Sequence, residues 1–395
     1  MKKTPKTSPE PAPQKSARKT PTARRASAPV TGARRPSTPR LLWKKLKDKK
    51  NSAALPDKKS AKVPGKDKPS PAKSNATCWI GFDLGGTKML ATVFDAQFRA
   101  LGSKRRKTRG NVGARAGLER ICETIDAALA EAGVRASQLG GIGVGCPGPL
   151  DLDRGIVLDM PNLGWKRFAI KRALEKRFKC PSHILNDVDA GVYGESVAGA
   201  GVGARSIVGV FPGTGIGGGA VYKGEIIRGS KGSCMEIGHL PVLSEGPLCG
   251  CGQRGCLEAV ASRLAISGEA AKAAFRGQAP YLLSKAGTDI SKIRSGTLAE
   301  SIENGDVVIE KIIRQAARLI GITMAGIVNL MAPDILLLGG GLVEAMPKLF
   351  IEEVGIGIEQ TAMEAYRGTY KLVVAKLGDD AGVIGSAAWA RHSAS

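Results

Sequence analysis

The residues best suited to chemistry are one histidine and three cysteines, His239, Cys249, Cys251 and Cys256, spaced H-x9-C-x-C-x4-C. Two thiolates at i and i+2, a third beyond a glycine turn and one imidazole make a closed tetrahedral set for Zn²⁺. Gly250, Gly252 and Gly255 allow the tight backbone this needs. Four protein ligands leave no open position, so the reading is a structural rather than a catalytic zinc. The other cysteines, Cys78, Cys122, Cys146, Cys180 and Cys234, are scattered, which is not a disulfide framework and fits a reducing, cytosolic compartment.

Three glycine-rich turns form the second group. In Asp83-Leu84-Gly85-Gly86-Thr87-Lys88 the glycines let backbone N–H groups face a phosphate, Thr87 adds a hydroxyl, and Asp83 sits where a Mg²⁺-bound water could be held. Alone, that stretch is a weak motif and reads better as a plain hairpin turn. Pro212-Gly213-Thr214-Gly215-Ile216-Gly217-Gly218-Gly219 is costlier in chain entropy and needs a close backbone approach to justify it. It lacks the lysine of a Walker loop, and a strand rather than a helix follows, so it is not a dinucleotide fingerprint. Leu338-Gly339-Gly340-Gly341-Leu342 runs from strand into glycine turn into helix and offers bare backbone to a purine ring. Together the three favour nucleotide binding.

Asn186-Asp187 ends a buried strand and opens a helix, where a carboxylate faces the crevice at the strand's C-terminal edge. A kinase needs such a group to accept the proton of its hydroxyl nucleophile, whereas a helix needs such a residue merely as a cap. The residues alone leave both roles open. Glu236-Ile237-Gly238-His239 and Glu258 put polar groups on both flanks of the metal set, as a sugar's hydroxyls require.

The elements that must position these groups alternate. Strands are expected at Cys78–Phe82, Met89–Phe94, Ile142–Gly145, His183–Leu185, Ile335–Leu338 and Val373–Ala375, with a strand–glycine loop–strand unit over Ser206–Tyr222. Helices are expected near Ala114–Ala132, where Leu118, Ile121, Cys122, Ile125 and Leu129 share a face and Gly133 stops the helix, and at Lys166–Lys179, Asp306–Met331 and Asp380–Arg391. The two similar openings predict an α/β architecture of two related halves.

Ahead of them lies a different composition. Residues 1–76 hold 22 of the 59 lysines and arginines, only 4 of the 35 acidic residues and 12 of the 22 prolines. The formal charge of +24 therefore belongs mainly to this segment. Its composition predicts a disordered basic tail, suited to weak contact with nucleic acid or polyphosphate, and Leu41–Lys47 reads as a short basic amphipathic stretch. No apolar stretch follows Lys2 and Lys3, so a secretory signal is not expected, although Arg, Ser and few acids are shared with transit peptides. No apolar run is long enough for a membrane span.

From Trp79 to Ala390 the chain resembles the ROK family of sugar kinases and repressors. The motifs that carry this are Asp83–Lys88, Gly145-Cys146-Pro147-Gly148, Pro161-Asn162-Leu163-Gly164-Trp165, Asn186-Asp187, Gly213–Gly219, Glu236–His239 and, most specifically, Cys249-Gly250-Cys251-Gly252-Gln253-Arg254-Gly255-Cys256-Leu257-Glu258. The resemblance implies an α/β, actin-like ATPase (ribonuclease H-like) fold, two lobes with a ligand cleft between them. The lobes would be residues 77–195, completed by the C-terminal helix 380–395, and residues 196–379 with the zinc. It implies Asp187 as catalytic base, with Asn162, Asn186, Glu236, His239 and Glu258 contacting the sugar, so that His239 serves both zinc and sugar. Asp83, Gly85, Gly86, Thr87, Lys88, Gly213, Thr214, Gly215, Gly217, Gly339, Gly340 and Gly341 would hold ATP, with Mg²⁺ bridging its phosphates. The implied activity is that of an ATP-dependent hexose kinase acting on the 6-hydroxyl, glucose first, in a homodimer or homotetramer. N-acetylmannosamine, fructose and allose kinases carry the same motifs. A sugar-responsive repressor would need a helix-turn-helix ahead of Asp83, and residues 1–76 show no such pattern. Two departures stand out: Val188-Asp189 where the family often has Ala-Asn, and Phe211-Pro212 before the second glycine loop.

Overall fold

In the computed structural model the described residues are 77–109, 113–160, 163–230, 232 and 234–394, and the tail expected over 1–76 lies outside them. Strands β1 (Cys78–Leu84), β2 (Lys88–Phe94) and β3 (Ala100–Lys107) lead into helix α1 (Ala114–Ala132) and β4 (Leu139–Cys146). Then come β5 (Leu150–Asp151), β6 (Ile156–Met160), β7 (Trp165–Phe168), α2 (Ile170–Phe178), β8 (Ser182–Asn186) and α3 (Asp187–Ala198). The pattern restarts with β9 (Ser206–Pro212), β10 (Ile216–Tyr222) and β11 (Glu225–Ile226). A helical stretch follows: α4 (Leu257–Ala261), α5 (Arg263–Phe275), α6 (Pro280–Ala286), α7 (Ser295–Glu303) and α8 (Val307–Met331). The chain closes with β12 (Ile335–Leu338), α9 (Gly341–Ala345), α10 (Pro347–Thr361), β13 (Lys371–Val374) and α11 (Ala381–Ala394).

The two expected halves are two five-stranded sheets of the same topology, β3-β2-β1-β4-β8 and β11-β10-β9-β12-β13. In each, three antiparallel strands are extended by two parallel ones on the far side of the first strand. The order matches because each half begins with a glycine-tipped hairpin and then returns through a helix, which a parallel partner requires. A small antiparallel sheet, β5-β6-β7, projects from the first half.

Burial of the first sheet on both faces explains its apolar, glycine-containing strands. Helix α1 covers one face with Ile121, Ile125, Ala128 and Leu129, and Gly133 ends it in the left-handed region at φ 66°. Helix α11 covers the other, against β1 and β4. It comes so close that a Cβ on Gly81 would lie 1.8 Å from the Val383 carbonyl oxygen, and one on Gly143 1.8 Å from that of Ser386. In the second half α8 and α10 pack together over β9 and β12, and α8 buries Ile313, Ala317, Ile320, Met324 and Val328.

One expected boundary is corrected. The helix expected from Lys166 begins at Ile170, because Trp165–Phe168 pairs with β6 and buries Trp165, which meets the Phe168 ring edge-on at 5.5 Å. Strand β3 was not expected: its Lys104, Arg105, Arg106 and Lys107 give no apolar alternation, as suits a charged sheet edge. Among the described residues no helix is long and apolar enough to cross a membrane.

Candidate functional site

The parallel strands β1, β4 and β8 end together. Asp83 pairs with Gly145, Gly145 with Leu185, and Cys146 with Asn186. Two strand spacings separate the backbones of β1 and β8, about 10 Å. Asp83 and Asp187 therefore face one crevice at the carboxyl edge of the sheet, the usual ligand position in such folds.

Sequence alone left the cap of α3 undecided; the geometry settles it. Asn186 Oδ1 accepts the N–H groups of Val188 at 2.8 Å and Asp189 at 3.3 Å, so Asn186 is the N-cap and Asp187 the first helical residue. Asp187 Oδ1 accepts the Val188 N–H at 3.0 Å. Burial raises the Asp187 carboxyl above the ordinary carboxylate value; hydrogen bonds from Val188, its own N–H and Asn186 oppose this, and the charge of Glu236 adds to it. Asp83 is pushed up to about 6 by burial and by the charges of Asp187 and Asp379, against Arg105. Asp189, the departure from the family pattern, is buried and pushed up to about 7 by burial, Asp187 and Glu236, against Arg228. Burial is the largest cause for all three, and neighbouring like charges add to it.

A cavity of about 590 Å³ is lined by Asn186, Glu236 and His239 on one side and by Gly148, Pro149, Leu150, Leu152 and Leu158 on the other. That is the scale of a small-molecule site. The leucines come from the β5-β6-β7 sheet and the turn after β5, whose short strands gave no sequence signal. Asn162 lies outside the described residues.

The glycine turns take different positions. Gly85, Thr87 and Lys88 line a cavity of about 250 Å³ with Asp83, Arg105 and Asp379. Gly86 shares that tip, which is strapped by Thr108, donating its N–H to Thr87 O at 2.8 Å and its hydroxyl to Gly85 O at 2.7 Å. In the second loop Gly213, Thr214 and Gly215 form the tip, whereas Gly217 lies within β10, where a Cβ would come 2.5 Å from Val188 of α3. Gly339, Gly340 and Gly341 close β12 and open α9, with Gly340 at φ 82°, and Phe211 packs on Gly339. Phe211 is thus accommodated by the third loop's missing side chain.

Glu258 sits between two motifs. Its Oε2 accepts the Ile216 N–H at 2.9 Å, and its Oε1 lies 3.8 Å from Cys249 Sγ. The ligand atoms of His239, Cys249, Cys251 and Cys256 all lie within 4.8 Å of one another. Cys249 Sγ is 3.6 Å from His239 Nδ1, and Cys251 and Cys256 sulfurs are 3.7 Å apart. A tetrahedral zinc with ordinary bond lengths sets S–N near 3.6 Å and S–S near 3.8 Å, so donor set and spacing both fit that ion. The His239 ring presents Nδ1 to this cluster while it also lines the sugar-sized cavity. Arg263, which sequence reading passed over, donates from Nη2 to Thr214 Oγ1 at 2.7 Å; its place directly after the Ser262 cap of α5 was the available signal.

Twin sheets of this topology with glycine turns facing a cleft define the actin-like ATPase fold. The ROK family profile matches residues 79–393. A glucokinase from Thermotoga maritima is 33% identical over 313 residues, spanning 78% of this chain and 95% of that one. A putative xylose repressor from a Caldicellulosiruptor species is 32% identical over 275 residues, 68% of each chain. The crystal structure of a ROK family glucokinase from Streptomyces griseus in complex with glucose and AMPPNP is 30% identical with a TM-score of 0.68, covering 80% of this chain and 99% of that one. The chain belongs to the ROK family.

Proposed function

We propose that the protein is an ATP-dependent hexose kinase, with glucose as its first candidate substrate and the 6-hydroxyl as acceptor. The observation that carries this is the placement of Asp187: capping falls to Asn186, and a carboxylate of raised proton affinity is left at the crevice beside Asp83 and the glycine turns. In phosphoryl transfer the sugar hydroxyl oxygen bonds to the γ-phosphorus as the bond to the β–γ bridging oxygen breaks. Asp187 takes the hydroxyl proton. Asn186, Glu236 and His239 orient the sugar in the 590 Å³ cavity, and Glu258 retains lone pairs for a sugar hydroxyl beyond its bond to Ile216. Asp83 and Thr87 face the phosphates with their Mg²⁺. The His239/Cys249/Cys251/Cys256 cluster would hold a structural zinc, which fixes His239 at the cavity wall.

The test is ADP release with Mg-ATP across hexoses and N-acetylhexosamines, on wild type and Asp187→Asn. Wild type should turn over a hexose, and the variant should lose at least a thousandfold in kcat while sugar Kd stays within a few-fold. A variant as active as wild type removes Asp187 from the mechanism. A wild type that binds sugar but releases no ADP with any sugar makes the chain a sugar-binding regulator, as its repressor relatives are named.

A further inference from the structure

Beside the glycine turns lies a cavity of about 690 Å³ lined by Thr87, Arg263, Leu264, Ile290, Ser291, Arg294, Ser295 and Gly296. One turn lines it, and residues of its wall touch the other two. Thr87 belongs to the first. Arg263 is fastened to the second at two points, its backbone N–H donating to Gly213 O at 2.9 Å and its guanidinium to Thr214 Oγ1 at 2.7 Å. Ser295, at the start of α7, abuts the third, its Oγ 3.5 Å from where a Cβ on Gly341 would stand.

Among the described residues the wall carries two arginines and no carboxylate, and neither arginine forms an ion pair. Among the described residues the Arg294 side chain donates from Nε to Ser291 O, at 3.2 Å, and from neither Nη. Each guanidinium has five N–H donors in a planar fork, so most remain to be used, and that fork matches phosphate oxygens two at a time. Leu264 and Ile290, 53% and 41% exposed, add an apolar patch to the same wall. We infer that Arg263 and Arg294 clamp the phosphate chain of the phosphoryl donor, and that the Leu264–Ile290 patch makes that donor a nucleoside triphosphate rather than a bare polyphosphate. Arg263 is the positioning partner of the second glycine loop as well as a phosphate ligand; Arg294, which does not touch that loop, is a phosphate ligand alone. The inference takes the cavity's ligand from the kinase reading but is tested without turnover.

Calorimetric binding of Mg-ATP and of Mg-tripolyphosphate is measured on the full, zinc-replete chain for wild type, Arg263→Gln, Arg294→Gln and Arg263→Lys, with glucose binding as the control. Both Gln variants should weaken Mg-ATP tenfold or more, Arg263→Lys less, with glucose affinity unchanged and tripolyphosphate weaker than ATP in wild type. Variants that bind Mg-ATP like wild type, or a wild type that binds neither phosphate compound, overturn the clamp. Loss in Arg263→Gln alone also overturns it, because loop positioning would then account for the effect. Tripolyphosphate bound as tightly as ATP refutes the nucleoside part. Arginine-dependent ATP binding without phosphorylation of any sugar upholds the clamp and refutes the kinase reading instead.

Discussion

Asp189→Asn should stabilise the protein, and by more as the pH rises. Asp189 is 3% exposed in the first turn of α3, against β10, where Gly219 leaves room for it. Its carboxyl is pushed from 3.8 to about 7, first by burial and then by Asp187 and Glu236, with the attraction of Arg228 working the other way. A raised folded-state value means that the native protein binds more protons than the unfolded chain between pH 3.8 and about 7. Stability is therefore lost as pH rises through that window. At 1.36 kcal/mol per unit, the charged form opposes folding by about 4 kcal/mol at pH 8 and by only about 2 kcal/mol at pH 5. Asparagine has nearly the same shape and no charge to bury. Its advantage over wild type should thus grow by about 2–3 kcal/mol from pH 5 to pH 8. Urea denaturation of both proteins at unit steps of pH reads this directly, and titration of Asp83 near the same range cancels in the difference. A gap that stays constant with pH, or narrows, would refute a buried charge at Asp189.

Two further outcomes follow from packing and from the metal cluster. Gly143→Ala places a methyl 1.8 Å from the Ser386 carbonyl oxygen, a backbone atom that cannot swing aside, so α11 must lift from the first sheet; a loss of about 3 kcal/mol or more in chemical denaturation is expected, and a loss under 1 kcal/mol would mean that the contact relaxes freely. Cys249→Ser should reduce bound zinc from one per chain to near none by elemental analysis and lower Tm by at least several degrees; wild type isolated without zinc, at unchanged Tm after chelation, would remove the metal from the fold.

Much of this was legible because the informative patterns are local. The hairpins β1–β2 and β9–β10, helix α1 with its Gly133 stop and the long apolar stripe of α8 are each fixed by neighbours in sequence. The metal set was legible for the same reason. Strand β7 was not, since Trp165-Lys166-Arg167-Phe168 continues helical spacing and becomes a strand only by pairing with β6. The cavity wall of Leu150, Leu152 and Leu158 depends on the adjoining pairing of β5 with β6. The glycines of Gly213–Gly219 were legible as a place of close approach, but what approaches Gly217 is Val188 of α3, a long-range partner that spacing does not reveal. Asp187 and Asn186 could not be assigned separate roles from type alone, because both are good caps; only the direction of Asn186 Oδ1 divides them.

The metal cluster and the second glycine loop read as separate motifs, yet the fold makes them one device. Leu257 N–H bonds to Leu240 O at 2.9 Å, which folds the cysteine segment back on the residue after His239. The next residue, Glu258, reaches from that knot to the Ile216 N–H, and Arg263, one short helix later, holds Gly213 and Thr214. A metal that fixes His239 and the three cysteines therefore fixes, through five residues of α4, the backbone at both ends of the loop tip. His239 reaches the sugar-sized cavity from the same knot. In the proposed phosphotransferase, such a four-ligand cluster with no open position would hold the acceptor side and the donor side in register while taking no part in the transfer.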